Sequence, residues 1–287
     1  MMESKTTTTS QHSINPDFEF IHHREETLEK AEYHKHDFYE IFFFISGKVS
    51  YLIEGKAYTP KNGDIFLLNN RELHKHVIET SQIYERIIIL VNPDFIKRHS
   101  SQDTNLFECF ESSSKRKYNL LRLDPEMLST IRNTVALLKK VCLTKSYGSE
   151  ILKENYLTEL IVYLNKAYME TYADYQEKDV FSDPKVNNII QYINQNLSED
   201  LSLEALSLNF YTSKYHLLRE FRRHTGYTPH EYVHQKRLIS AKALLKEGIS
   251  ITEICQLCGF KDYANFFRVF QKAYNISPRK YASQFLV

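Results

Sequence analysis

Residues 213–232 read SKYHLLREFRRHTGYTPHEY, and residues 262–281 read DYANFFRVFQKAYNISPRKY. Laid over each other with a shift of 49, they place Arg219 on Arg268, Phe221 on Phe270, Pro229 on Pro278 and Tyr232 on Tyr281. The residues just upstream also match, now with a shift of 48: Leu203 on Ile251, Glu204 on Thr252 and Leu206 on Ile254. The repeated unit is a short helix, a turn and a second helix, with one extra residue in the second copy's turn.

The second helix of each unit divides into two faces. Leu217 and Phe221, four residues apart, form the inner face of the first copy; Phe266 and Phe270 form that of the second. The outer face then carries Lys214, Tyr215, Leu218, Arg219 and Arg222 in the first copy, and Tyr263, Ala264, Asn265, Arg268 and Lys272 in the second. A helix of this kind fits the major groove of duplex DNA, which is about 12 Å wide. Arginine takes guanine, and asparagine takes adenine, through paired hydrogen bonds. Lysines and peripheral arginines hold phosphates, which fix register without reading sequence. A generic helical bundle with a basic solvated face would share the charge but not the duplication.

Working outward, residues 184–287 are punctuated as seven short helices. Asp183-Pro184, Ser202, Ser213, Asp262 and Ser277-Pro278 are N-cap signals. Thr228-Pro229-His230-Glu231 and Ser250-Ile251-Thr252-Glu253 have the form of capping boxes. Gly259 ends the helix before the second turn, and Glu231–Lys246 is a spacer that sets the two units about one duplex turn apart. Charge follows the same division. Residues 184–287 carry 14 Lys and Arg against 8 Asp and Glu, while residues 1–183 carry 23 against 28, so a net of +1 hides a basic third on an acidic remainder.

The first half has another rhythm. Gly47, Gly55 and Gly63 recur every eight residues in polar turns, between runs rich in β-branched and aromatic residues. The predicted strands are Phe38–Ile45, Val49–Ile53, Ala57–Thr59, Ile65–Leu68, Lys75–Ile78 and Tyr84–Val91, forming a sandwich or small barrel. Phe38–Ile45 is apolar nearly throughout, so both its faces are expected to be covered. From Asp124-Pro125 the period becomes helical: Leu128, Ile131, Val135, Leu138 and Cys142, then Leu157, Leu160, Ile161, Leu164 and Tyr168. These helices either cover the β domain or form a dimer seam. Residues 1–13 read as a disordered tail and 173–183 as a linker. Four cysteines without an export signal suggest a reduced, cytoplasmic protein, and no apolar run is long enough for a bilayer helix.

Residues 184–287 resemble the AraC/XylS family of transcription regulators. The resemblance rests on ISITEICQLCGFKDYANFFRVFQKAYNISPRKY, residues 249–281, with Gly259-Phe260, Phe266, Arg268, Phe270, Lys272, Ser277-Pro278 and Tyr281 in family positions. Phe221, Gly226, Pro229, Tyr232, Arg237, Ala241 and Leu244-Leu245 agree upstream. It implies two helix-turn-helix subdomains reading successive major grooves, with Arg219 and Arg268 at DNA-contacting positions. Tyr211 and Asn275 stand where the family usually has glycine, and Leu218 where a polar base reader is frequent. Cys255 and Cys258 form C-x-x-C, but the family places core residues there and no second ligand pair lies at zinc spacing.

His34-x-His36-x3-Glu40, followed by Gly47, resembles the first cupin motif; Lys61-Asn62-Gly63-Asp64 and His74 resemble a degenerate second one. In cupin enzymes three histidines and a glutamate hold a divalent metal. Here His34, His36, Glu40 and His74, with Tyr51, allow three readings: a polar effector site, a metal site, or a structural cluster. The expected fold is α+β and multidomain. A cupin-like effector-sensing barrel spans 14–110, a helical dimerisation segment 111–172, and an all-α DNA-binding domain 184–287. The resemblance implies a sequence-specific DNA-binding regulator, not an enzyme. It would have no cofactor or metal, and its partners would be duplex DNA, a small polar effector such as a sugar, a second copy in a homodimer, and RNA polymerase. A metal-dependent cupin enzyme fused to an adaptor, and a regulator answering to a protein partner, are the alternatives.

Overall fold

The computed structural model describes residues 9–25, 38–78, 83–111, 118–170 and 180–284. The chain divides into two compact units, Met1–Ile53 with Ala57–Phe181, and Ser182–Val287 with the short segment Glu54–Lys56.

The first unit is built on two sheets. One has six strands in the order β1-β2-β8-β3-β6-β9: β1 (Thr9–Ile14), β2 (Phe18–Glu25), β8 (Tyr84–Val91), β3 (Tyr39–Ser46), β6 (Ile65–Leu68) and β9 (Leu120–Leu121). The other has the order β10-β5-β4-β7: β10 (Val180–Ser182), β5 (Lys56–Tyr58), β4 (Val49–Ile53) and β7 (His74–Ile78). Strand β3 is central, pairing antiparallel with β6 and β8. Its side chains alternate between two cores, so both faces are buried, as its unbroken apolar run requires. Phe42 and Phe44 point between the sheets, among Tyr51, Ile53, Tyr58, Phe66 and Tyr84. Tyr39, Ile41 and Phe43 point the other way, into a core completed by helices.

Those helices are α1 (Pro93–His99), α2 (Glu108–Glu111), α3 (Pro125–Leu143) and α4 (Ser149–Glu170). Asp124 caps α3 through the amides of Glu126 and Met127, with Pro125 in the first turn. Ile131, Val135 and Leu138 of α3, and Leu157, Leu160, Ile161 and Leu164 of α4, are buried with the sheet residues Phe18, Ile41 and Ile89. The apolar faces read from the sequence are therefore used to cover the sheet.

Other departures lie at the edges. Thr9–Ile14 form a strand paired along its length with β2, where a tail was expected over residues 1–13. Pairing to a neighbour's backbone makes this polar segment extended. Residues 173–179 of the expected linker lie outside the described residues, and Val180–Ser182 form β10. Helices α1 and α2 were not anticipated.

The second unit holds α5 (Pro184–Gln195), α6 (Leu203–Asn209), α7 (Lys214–Thr225), α8 (Pro229–Lys246), α9 (Ile251–Leu257), α10 (Tyr263–Tyr274) and α11 (Pro278–Ala282). These are the seven helices expected, each opened by its cap. The side chains of Asp183, Ser202, Ser213, Thr228, Ser250, Asp262 and Ser277 accept from first-turn amides. Thr228 and Glu231 close a reciprocal capping box. At the second predicted box, Ser250 accepts from the Glu253 amide at 3.3 Å.

Candidate DNA-reading helices and effector site

The repeat is preserved in three dimensions. Helices α6 and α9 have seven residues each, and α7 and α10 have twelve. Four residues separate α6 from α7 and five separate α9 from α10, which is the extra residue read from the sequence. Both turns use the same device. Tyr211 and Gly259 take left-handed φ values of 50° and 70°. The next amide then reaches back five residues, from Thr212 to the Ser207 carbonyl at 3.0 Å and from Phe260 to the Cys255 carbonyl at 2.8 Å. Gly259 is required for a second reason, since a Cβ there would lie 2.3 Å from the Leu197 carbonyl oxygen. Helices α7 and α10 also end alike, on the left-handed residues Gly226 and Asn275.

Packing repeats as well. Phe221 meets Tyr232 edge to face at 5.4 Å, and Phe270 meets Tyr281 at 5.7 Å. With Leu217 and Phe266 these residues fix the inner faces. The outer faces then fall where the pattern puts them: Lys214, Tyr215, Leu218, Arg219 and Arg222 on α7 are exposed, as are Tyr263, Arg268 and Lys272 on α10, with Asn265 half-buried. Arg219 Nε donates to Glu220 at 2.9 Å, and Lys214 pairs with Glu204. Arg268 Nη2 donates to Asn265 Oδ1 at 3.3 Å, which holds the two base-reading types together on one turn. Arg237 is a fastener, since its Nε and Nη2 donate to the carbonyls of Leu197 and Glu199 at 3.0 and 2.8 Å. Cys255 and Cys258 are buried in the α8–α11 core, and burial raises both thiols above their ordinary range.

In the first unit, three of the five expected effector residues converge. Glu40, on β3, is buried between the sheets. Its Oε1 accepts from the Tyr51 hydroxyl at 3.1 Å, and its Oε2 lies 3.2 Å from His74 Nε2. Burial disfavours a charged His74, but the Glu40 carboxylate outweighs this and the imidazole pKa lies above its usual 6.5. Burial raises the Tyr51 phenol far above its ordinary value, with Glu40 adding to the shift. His34 and His36 lie outside the described residues. Among the described residues, no group of three or more His, Cys, Asp or Glu is placed to hold a metal ion.

Strand alternation also brings in residues the sequence did not single out. Tyr84 and Arg86 are on the inner face of β8, with Arg86 opposite Phe44 of β3 and His23 of β2. His76 stands two residues beyond His74 on β7, its ring 5.7 Å from Tyr84 and 6.5 Å from Tyr51. The available signal was an arginine at an inward position of a strand whose five following residues are all apolar, YERIIILV.

Comparison with known proteins agrees with both halves. An AraC-like ligand binding domain matches residues 15–161, and a helix-turn-helix domain matches residues 206–284. The HTH-type transcriptional activator RhaS of Salmonella schwarzengrund is 26% identical over 249 residues, covering 86% of this chain and 85% of that protein. RhaS of Escherichia fergusonii is likewise 26% identical, covering 86% of each. Among solved structures, an apo form of a ToxT variant from Vibrio cholerae covers 95% of this chain and 99% of its own at 16% identity, with a TM-score of 0.41. No helix of the described residues is long and apolar enough to cross a membrane. With its first half matching the ligand-binding domain and its last third carrying the paired helix-turn-helix units, the chain belongs to the AraC/XylS family of DNA-binding transcription regulators.

Proposed function

We propose that the chain is a cytoplasmic, sequence-specific transcriptional activator, in which α7 and α10 read DNA and a small polar effector binds between the sheets of the first unit. The observation that carries this is the pair of equivalent helices with equivalent arginines, Arg219 and Arg268, both exposed on faces held outward by buried phenylalanines. Arg268 with Asn265, and Arg219 with Tyr215, read base edges. Lys214, Arg222 and Lys272 hold phosphates, Tyr263 packs on the backbone, and Leu218 meets a thymine methyl. Helix α8, eighteen residues and so about 27 Å long, spaces the two readers.

The effector acts by binding one arrangement of the protein better than another. Glu40, Tyr51 and His74 form its polar recognition group, with His34 and His36 assigned to the same site from the sequence. The protein works as a homodimer, using exposed apolar residues of α3 and α4 such as Leu143 and Ile151, and as an activator it engages RNA polymerase, consistent with relatives named as activators.

Selection of bound duplexes from a random pool by the full-length protein tests the assignment. A site of two half-elements is expected. Arg268→Ala should relax base preference in one half and Arg219→Ala in the other, each by about 1–3 kcal/mol of discrimination. An unchanged preference in both variants would remove the base-reading role.

A further inference from the structure

Arg122, Arg237 and Arg86 are each held by defined partners, and they are not held alike. Arg122 meets Asp64 through two parallel bonds, Nε to Oδ1 at 2.8 Å and Nη2 to Oδ2 at 2.7 Å. Arg237 is fixed by two carbonyls. Arg86 is buried, with 6% of its surface exposed, and among the described residues its hydrogen-bond partner is Glu25, whose Oε1 accepts from Nη2 at 3.0 Å. Among the described residues, its Nε and Nη1 are buried without a hydrogen-bond partner, and so is the neighbouring Tyr84 hydroxyl.

The geometry of a guanidinium shows what is left over. Its five N–H donors form two edges, Nε with one Nη2 proton and Nη1 with the other Nη2 proton. Glu25 uses one Nη2 proton. Whichever edge that proton belongs to, the other edge is complete and suited to two parallel bonds to a single oxyanion. The Tyr84 ring covers the flat face at 4.3 Å, so the guanidinium is steadied without its edges being used. Buried donors left unmade are costly, so an oxyanion that accepts from Nε and Nη1 is favoured even though the guanidinium charge already pairs with Glu25.

The surroundings describe the rest of the ligand. Arg86 and Tyr84 share the inner face of β8, and Tyr84 packs in the same core as Phe44 and Tyr51. His76 bridges the rings of Tyr84 and Tyr51, and Tyr51 leads to Glu40 and His74. Charge on Arg86 and on Glu40 acts on both tyrosines, so the two polar clusters lie within one electrostatic field. At one end is a guanidinium edge; at the other are carboxylate, phenol and imidazole groups that exchange hydrogen bonds with hydroxyls, joined by aromatic faces.

We infer that Arg86 anchors an oxyanion of the effector, and that the effector is a polyhydroxylated metabolite bearing a carboxylate or phosphate, not a neutral sugar. This rests on the small polar effector proposed above and narrows its class.

Calorimetry and thermal-shift measurements on the full-length protein test it, with gluconate, galacturonate and glucose 6-phosphate set against the neutral glucose and galactose. At least one oxyanion probe should bind at least about tenfold more tightly than its neutral parent, as loss of a charge-assisted pair implies. A carboxylate response and a phosphate response are told apart by which probe binds. Arg86→Gln should abolish that preference and Arg86→Lys should retain part of it. In the wild-type chain, a shifted arginine Nε–H NMR resonance on adding the binding probe supplies a readout that needs no variant. Equal binding of acid and parent, or full preference in a folded Arg86→Gln protein, overturns the anchor role and leaves the polar effector standing. If neither charged nor neutral probes bind, that counts against the polar effector itself and against this inference with it.

Discussion

Tyr211 holds a φ of 50° and is 98% exposed. A left-handed conformation costs an L-residue about 1–2 kcal/mol, and an exposed ring returns little of it. The turn geometry that Gly259 provides in the second unit is therefore strained in the first. Tyr211→Gly should stabilise the second unit by about 0.5–1 kcal/mol after glycine's greater unfolded-state freedom is subtracted. Urea unfolding monitored in that unit would show this, and a lower midpoint would mean that the ring has packing value in solution. His74 makes a second prediction at this scale. Its folded pKa is raised, so its pairing with Glu40 contributes fully below the unfolded value of 6.5 and fades as pH rises through the folded value. Wild type should lose its stability advantage over His74→Gln as pH rises above about 6.5. Parallel stability curves for the two proteins would show that the pair is not an ion pair.

Elements were legible where side chains alone decide them. The strands at 49–53, 65–68 and 84–91 match the runs read from composition, because β-branched and aromatic residues between glycine turns have few other solutions. Helices α5–α11 match because each begins at a side chain that satisfies free first-turn amides. Strand β1, TSQHSI, was illegible because pairing with β2, not its own pattern, makes it extended. Helix α1 did carry a signal, an Asn92 cap and Pro93, in a segment too short to show a period. The outward-facing residues of α7 and α10 followed from helical spacing, whereas Arg86 gains meaning only once β2, β3 and β8 are aligned, since sequence cannot say which strands face which. The outward faces of α7 and α10 give the prediction for this scale. Lys272→Ala and Arg222→Ala should weaken binding to all duplexes alike, each lowering the slope of log affinity against log salt by about one. A change confined to one base position would instead make the residue a base reader.

The whole molecule separates two tasks by charge and by period. Residues 184–287, basic and capped into seven helices, carry a core of their own around Phe266, Phe270 and Tyr281. The first unit, acidic, builds two internal cores from its own strands and helices, so its folding does not depend on borrowed helices. Each unit thus has the means to fold alone. A chain limited to residues 184–287 should bind the selected duplex in a salt-dependent manner, with affinity falling steeply between about 50 and 200 mM salt as counterions are released. It should bind more weakly than the full protein if dimerisation through the first unit joins two such readers, since the second engagement is then intramolecular. Effector addition should leave its affinity unchanged. Gel-shift titrations of both chains, with and without the binding probe, separate the cases. A response to the probe in the short chain would move the sensing site into the helical unit, whereas an unfolded short chain would show that the two cores are not independent.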